Sequence, residues 1–141
     1  AADAGAVIEP ARLEESLRGL QRLMPEARII VELAGGLLVP YREDFTQADW
    51  LERARAAIVL VARSGLGTLN HTLLTLEALR ARHLEPRALV LVGEPHDSNR
   101  ETLRRMGFVE RIFELPPLEP LDTAALDRWL ETNDLAPIWE P

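Results

Sequence analysis

Glu32 closes the run Arg28-Ile29-Ile30-Val31-Glu32 and is followed by Leu33 and then Ala34-Gly35-Gly36. A carboxylate at the end of an apolar run is costly to bury without a partner. A divalent cation would supply that partner, since Mg²⁺ takes one or two carboxylates together with phosphate oxygens. The glycines would let a phosphate group approach the backbone. A solvated strand-end glutamate before a glycine turn accounts for the same residues with no ligand.

Gly65-Leu66-Gly67-Thr68-Leu69-Asn70 is a glycine turn entering a helix. The first amides of a helix have no intrahelical acceptor, so such a turn can hold a carboxylate or phosphate, or only water. The spacing is neither G-x-G-x-x-G nor G-x-x-x-x-G-K-[ST]. His71 follows the turn with no zinc-ligand spacing to another His, and reads as a packing or capping residue. His83, taken to lie on a later turn of the same helix, and His96 read as surface residues. Pro116-Pro117 reads as a strand stop that could also form a rigid wall against a flat base. Thr46 with Asp49 reads as a helix cap. No Ser/His/Asp set shows the strand-turn-helix elbow of a hydrolase.

Composition narrows the chemistry further. The chain has 141 residues, with 23 acidic and 16 basic side chains and a net charge of −7. That balance disfavours a general nucleic-acid binder. Hydrophobic residues make up 47% of the chain, enough for a packed core, yet no segment reaches the ~18 apolar residues of a membrane span. Cysteine is absent, which excludes disulfides and thiol chemistry and fits a reducing compartment, so the location expected is cytoplasmic. All 16 basic residues are Arg. Without Lys the chain cannot build a Walker-type phosphate loop or a Schiff base. The opening Ala1-Ala2-Asp3 carries no initiator Met and no signal-peptide pattern, and reads as the tail of a helix.

The elements that position these residues alternate. Arg12 to Met24 reads as a helix, with Leu13, Leu17, Leu20 and Met24 at helical spacing and Glu14 and Glu15 in its first turn. Arg28 to Glu32 reads as a strand buried on both faces. Thr46 to Arg55 is a short helix capped by Thr46, with Asp49 as an imperfect capping-box partner. Ala57 to Ala62 is an apolar strand, and Thr68 to Arg82 an amphipathic helix with Leu69, Leu73, Leu76 and Leu79 on one face. Ala88 to Val92 is a third strand. Ser98-Asn99-Arg100-Glu101 has capping-box form and opens a helix that ends near Gly107, its C′ glycine. Arg111 to Leu115 is a fourth strand, Thr123 to Thr132 the last helix, and Ala136 to Trp139 an irregular tail. Strands alternating with helices predict an α/β fold, a parallel doubly wound sheet. Ligands of such sheets bind outside the carboxyl ends of the strands, where the segments above lie.

Three of these segments together resemble one family. Val31-Glu32-Leu33-Ala34-Gly35-Gly36-Leu37-Leu38-Val39-Pro40 resembles the V-E-G-A-G-G-L-x-V-P motif of dethiobiotin synthetase. Gly65 to Thr75 resembles its G-L-G-T-I-N-H-T-L-L-T turn and helix, and Glu114-Leu115-Pro116-Pro117-Leu118 its E-L-P-P-L segment. Asp44-Phe45-Thr46 with Ala48-Asp49-Trp50 is a partial fourth match.

The resemblance implies a fold of P-loop NTPase type and a chain, residues 1–141, that forms a single incomplete domain, the C-terminal part of the enzyme. It would lack the N-terminal phosphate-loop strand and helix, and with them the family's catalytic lysines. The implied reaction closes a cyclic urea on 7,8-diaminopelargonate with CO₂ (or bicarbonate) and ATP, in biotin synthesis. By the same resemblance Glu32 binds Mg²⁺, while Ala34, Gly35 and Gly93 lie along the nucleotide. Pro116, Pro117 and Leu118 line the adenine pocket. The amides of Gly67, Thr68, Leu69 and Asn70 hold the substrate's carboxylate tail across a homodimer interface. No catalytic residue is assigned to this chain, which would need a complementing N-terminal half; neither nucleic acid nor membrane is an expected partner. Leu33 stands where the family has a glycine, and Val92 where many members have the Asn that reads the purine. These departures support an alternative: a non-catalytic, degenerate module that binds a nucleotide or carboxylate and pairs with another chain. An amidotransferase-like or partition-type ATPase of the same broad class fits the G-L-G-T-L-N-H-T segment less well.

Overall fold

The structure, a computed structural model, describes residues 8–106 and 109–139. The chain divides into two compact units, Ala1–Ala56 and Ala57–Pro141.

In the first unit, helix α1 (Pro10–Leu23) starts with proline at its amino end, where the missing N–H costs nothing. This start is earlier than the leucine spacing suggests, so Glu14 and Glu15 fall beyond the first turn. Glu14 instead pairs with Arg18 at 3.8 Å and with Arg53 at 3.8 Å. A hairpin absent from the sequence reading joins β1 (Pro40–Arg42) to β2 (Phe45–Thr46) in antiparallel register. Helix α2 (Gln47–Ala54) follows directly. Thr46 caps it as anticipated: its Oγ1 accepts from Asp49 N–H, and Asp49 Oδ2 accepts from Thr46 N–H at 2.7 Å. Phe45, Ala48, Trp50 and Leu51 are buried hydrophobic side chains of this unit.

Residues 28–32, expected as a buried strand, are not one. Ile30 is 79% exposed and Val31 49%. A strand is held by hydrogen bonds to a neighbour, and among the described residues of this unit only β1 and β2 pair. An apolar run without such a neighbour stays irregular.

The second unit is a three-stranded parallel sheet, ordered β3 (Ile58–Arg63), β4 (Pro86–Val92), β5 (Ile112–Leu115). Four strands were anticipated; the missing one is the 28–32 segment. Helix α3 (Thr68–Arg80) crosses from β3 to β4 and α4 (Asp97–Arg105) from β4 to β5. Leu89, Leu91 and Ile112 of the sheet meet Leu76 and Leu103 of these helices in the core, with Val109. Leu69 and Leu73 pack on the same cluster, so the leucine stripe faces inward as predicted. Helix α5 (Thr123–Thr132) is capped by Asp122, which accepts from Ala125 N–H at 2.8 Å.

Several boundaries differ from the sequence reading. Helix α4 begins at Asp97, with His96 rather than Ser98 at the cap and no side-chain cap bond. Glu101 is drawn instead to Arg105 one turn on, at 3.9 Å. Its C′ candidate, Gly107, lies outside the described residues. Helix α3 stops at Arg80, so His83 sits beyond it in a turn with φ of +56°. The tail forms a short helix, α6 (Ala136–Trp139), rather than an irregular end.

Candidate functional site

The segments leaving β3, β4 and β5 lie side by side at the carboxyl edge of the sheet. Ser64 N–H bonds to Val92 O at 2.9 Å, and Gly93 N–H to Leu115 O at 3.0 Å. Gly93 therefore sits beside the start of the Pro116-Pro117-Leu118 segment, in which Pro116 and Leu118 are half-buried and Pro117 is exposed. Val92, which stands where a purine-reading Asn was expected, is 39% exposed; its isopropyl group can pack on a base but cannot hydrogen-bond to it.

On the neighbouring strand end, Gly67 takes φ of +88° and caps α3. A Cβ there would meet nothing within 4 Å, so glycine serves the backbone conformation rather than the space. Of the four amides proposed for a carboxylate, Thr68 N–H is engaged with Gly65 O at 3.2 Å. Those of Gly67, Leu69 and Asn70 have no backbone acceptor among the described residues. The Thr68 side chain is buried, its Oγ1 lying 3.3 Å from that of Thr72. His71 is exposed, so it neither packs nor caps through its ring. His83 and His96 are exposed, as anticipated.

Glu32, Ala34 and Gly35 belong to the first unit. All three are exposed, and Leu33 is half-buried. The turn is anchored from below: Gln47 Nε2 donates to Ala34 O at 2.6 Å, and Ala48 N–H to Leu37 O at 3.1 Å. Gly35 has φ of +80°, and a Cβ there would approach Val39 Cγ2 to 3.2 Å. The Gly35 turn is thus set by packing and hydrogen bonds, without a strand leading into it.

The motif resemblance implies a Mg²⁺ ion. Among the described residues no three His, Asp or Glu side chains converge on a point. Glu32 has no ion pair or hydrogen bond among those residues, so its carboxylate is available as one ligand. That fits a cation held by one carboxylate and completed by phosphate oxygens.

Sequence reasoning overlooked a set of polar side chains that tie the strand ends together: Ser64, Asn99, Arg100 and Glu114. Glu114 lies inside a motif that was noticed and Ser64 directly precedes one, whereas Asn99 and Arg100 were read only as part of a capping box. A polar pair at the first turn of a helix facing two strand ends was the available signal.

A parallel sheet with helical crossovers and glycine turns at its carboxyl edge defines the class. A family model described as an AAA domain matches residues 1–125. The chain belongs to that family, whose fold is of P-loop NTPase type. Among its curated relatives it is 43% identical over 122 residues to the biotin biosynthesis bifunctional protein BioCD of Bordetella avium, covering 84% of this chain and 26% of that protein. It is 43% identical over 101 residues to the ATP-dependent dethiobiotin synthetase BioD of Rhizorhabdus wittichii, 72% of this chain and 48% of the relative. With BioD of Paramagnetospirillum magneticum the identity is 42% over 120 residues, 83% and 58% of the two chains. Dethiobiotin synthetase, the family that the motifs resemble, is thus the name that the two BioD relatives carry. The chain spans about half the length of the two BioD proteins.

Proposed function

We propose that this chain supplies the carboxyl-terminal half of a cytoplasmic dethiobiotin synthetase, which closes a cyclic urea on 7,8-diaminopelargonate with CO₂ and ATP. The observation that carries the reading is the turn at Gly67: a left-handed glycine presents unaccepted amides at a helix start, in the unit whose neighbouring strand ends carry Gly93 and the Pro116-Pro117-Leu118 segment. Anions are stabilised there by the orphan N–H groups and by the helix dipole. Gly67, Leu69 and Asn70 would hold the substrate's carboxylate tail, and Thr68 would secure the turn through Gly65. Gly93 and Pro116 to Leu118 would flank the purine, with Pro116-Pro117 as a wall whose shape changes little on binding. Glu32 would hold Mg²⁺, which when bound offsets charge on the transferring phosphoryl group. The Lys that must grip the phosphates comes from outside these residues, since the chain contains none. Activity therefore requires an N-terminal segment, and a homodimer if the carboxylate site is shared between subunits.

Titration of the ¹⁵N-labelled chain with 7,8-diaminopelargonate tests the carboxylate site. The amides of Leu69 and Asn70 should shift, and the methyl ester of the same compound should leave them in place. Equal shifts with acid and ester would remove the basis for the assignment.

Leu33 and Val92 favour a second reading, a non-catalytic partner module. Replacing Leu33 with Gly and Val92 with Asn separates the two. Strong activity with an N-terminal half before the replacement excludes the degenerate module.

A further inference from the structure

The first turn of α4 spans the carboxyl edge of the sheet with two adjacent side chains. Asn99 Nδ2 donates to Ser64 O, at the end of β3, at 3.0 Å. Arg100 Nη1 lies 3.7 Å from Glu114 Oε2, on β5. Ser64 Oγ in turn donates to Glu94 O in the turn after β4, and Glu114 O accepts from Trp129 Nε1 at 2.9 Å. Ser64 O and Glu94 O follow the ends of β3 and β4 and Glu114 O lies on β5, and all three accept from side-chain donors. The Glu114 side chain is only 18% exposed. Arg100 Nε and Glu114 Oε1 are buried with no hydrogen-bond partner among the described residues.

We propose that Asn99 and Arg100 are positioning residues for purine recognition. Asn99 fixes the turn that carries Ser64 and, through Ser64, the backbone after Gly93. Arg100 fixes Glu114, the residue that starts the Glu114-Leu115-Pro116-Pro117 segment. Together they set the gap between Gly93 and the proline wall. This rests on the reading that the edge binds a nucleotide. It adds two groups that touch no ligand themselves and control the width of the base slot. The nearest approach of Arg100 to the carboxylate is 3.7 Å, from Nη1, so charge rather than a short hydrogen bond links the pair; a lysine ammonium should replace it, whereas an uncharged side chain of similar length should not.

The test uses the whole ¹⁵N-labelled chain, with adenosine as the probe. In the unsubstituted chain adenosine should shift the amides of Gly93, Glu94, Leu115 and Leu118. R100M should weaken adenosine binding about fivefold and displace the Leu115 and Leu118 amides before any ligand is added. The Leu69 and Asn70 amides should not move. R100K should restore the affinity. E114Q, which keeps the shape and removes the charge, should weaken binding in the same direction and serves if R100M does not fold. Equal affinity in R100M, E114Q and the unsubstituted chain overturns the positioning role alone. No adenosine response in the unsubstituted chain overturns the nucleotide reading, and the positioning role with it.

Discussion

Gly93→Ala should destabilise the second unit through two effects that can be separated. Gly93 has φ of +122°, and an added Cβ would lie 2.8 Å from Ser64 Oγ. The backbone conformation alone costs a residue with a side chain on the order of 1–3 kcal/mol. Relieving the contact means moving Ser64 Oγ off Glu94 O, with a further loss of ~1 kcal/mol for that hydrogen bond. The sum, roughly 2–4 kcal/mol, corresponds to a fall in Tm of about 8 °C or more for a unit of this size. Urea or thermal unfolding of the chain reads it. Ser64→Ala alone removes the hydrogen bond and should cost ~1 kcal/mol. In the double variant the steric contact is gone, so its cost should fall short of the sum of the singles by about 1 kcal/mol, a coupling of the size contacting residues show. Strict additivity, or a G93A variant as stable as the original chain, would refute the argument that these two residues are fitted to each other.

Thr46→Ala removes the side-chain arm of the α2 capping box and leaves the arm from Thr46 N–H to Asp49 Oδ2; it should cost about 0.5–2 kcal/mol, measured by unfolding with a probe at Trp50. Gly67→Ala meets no steric obstacle, so its cost should be the backbone strain alone, about 1 kcal/mol and less than that of Gly93→Ala; a larger loss would mean that the turn is crowded. Burial pushes the Tyr41 phenol above its ordinary value of 10.0. The neutral form is favoured in the folded state, so this contribution is complete below pH 10.0 and is lost as pH rises through the raised value. Tyr41→Phe should therefore flatten the alkaline limb of the stability curve and leave neutral pH unchanged; an alkaline limb identical in both chains would contradict this.

The parts of the fold that could be read in advance are those where one segment's own pattern suffices. Leu69, Leu73, Leu76 and Leu79 announce α3 and its buried face because helical spacing is local. The three paired strands are apolar runs that find neighbours in the sheet. The run at 28–32 looks the same in sequence and remains irregular, because strand formation depends on a second segment that the pattern does not reveal. The hairpin at Pro40 to Thr46 escaped notice because strands of three and two residues carry no periodicity. Ser98 and Glu101 satisfy the form of a capping box, yet the preceding loop delivers the chain into the helix at His96, and Glu101 turns to Arg105.

The site divides along the same line. The glycines at 35 and 67 were legible as turns, and both, like Gly93, take positive φ. The state of each amide was not, since Thr68 N–H is consumed by Gly65 O through a turn geometry that residue types alone do not specify. Asn99 and Arg100 gain their meaning only from Ser64 and Glu114, which lie 35 and 14 positions away.

The central claim is that these residues form the substrate-side half of a dethiobiotin synthetase and need a separate segment to grip the phosphates. The direct measurement is ADP and dethiobiotin formation from ATP, bicarbonate, Mg²⁺ and 7,8-diaminopelargonate. It compares the chain alone with the chain mixed with the separately produced N-terminal half of the Paramagnetospirillum magneticum relative. The account predicts no product from either part alone and product from the mixture, abolished by Glu32→Gln. Product from the chain by itself, or none from a mixture shown to associate, would contradict it.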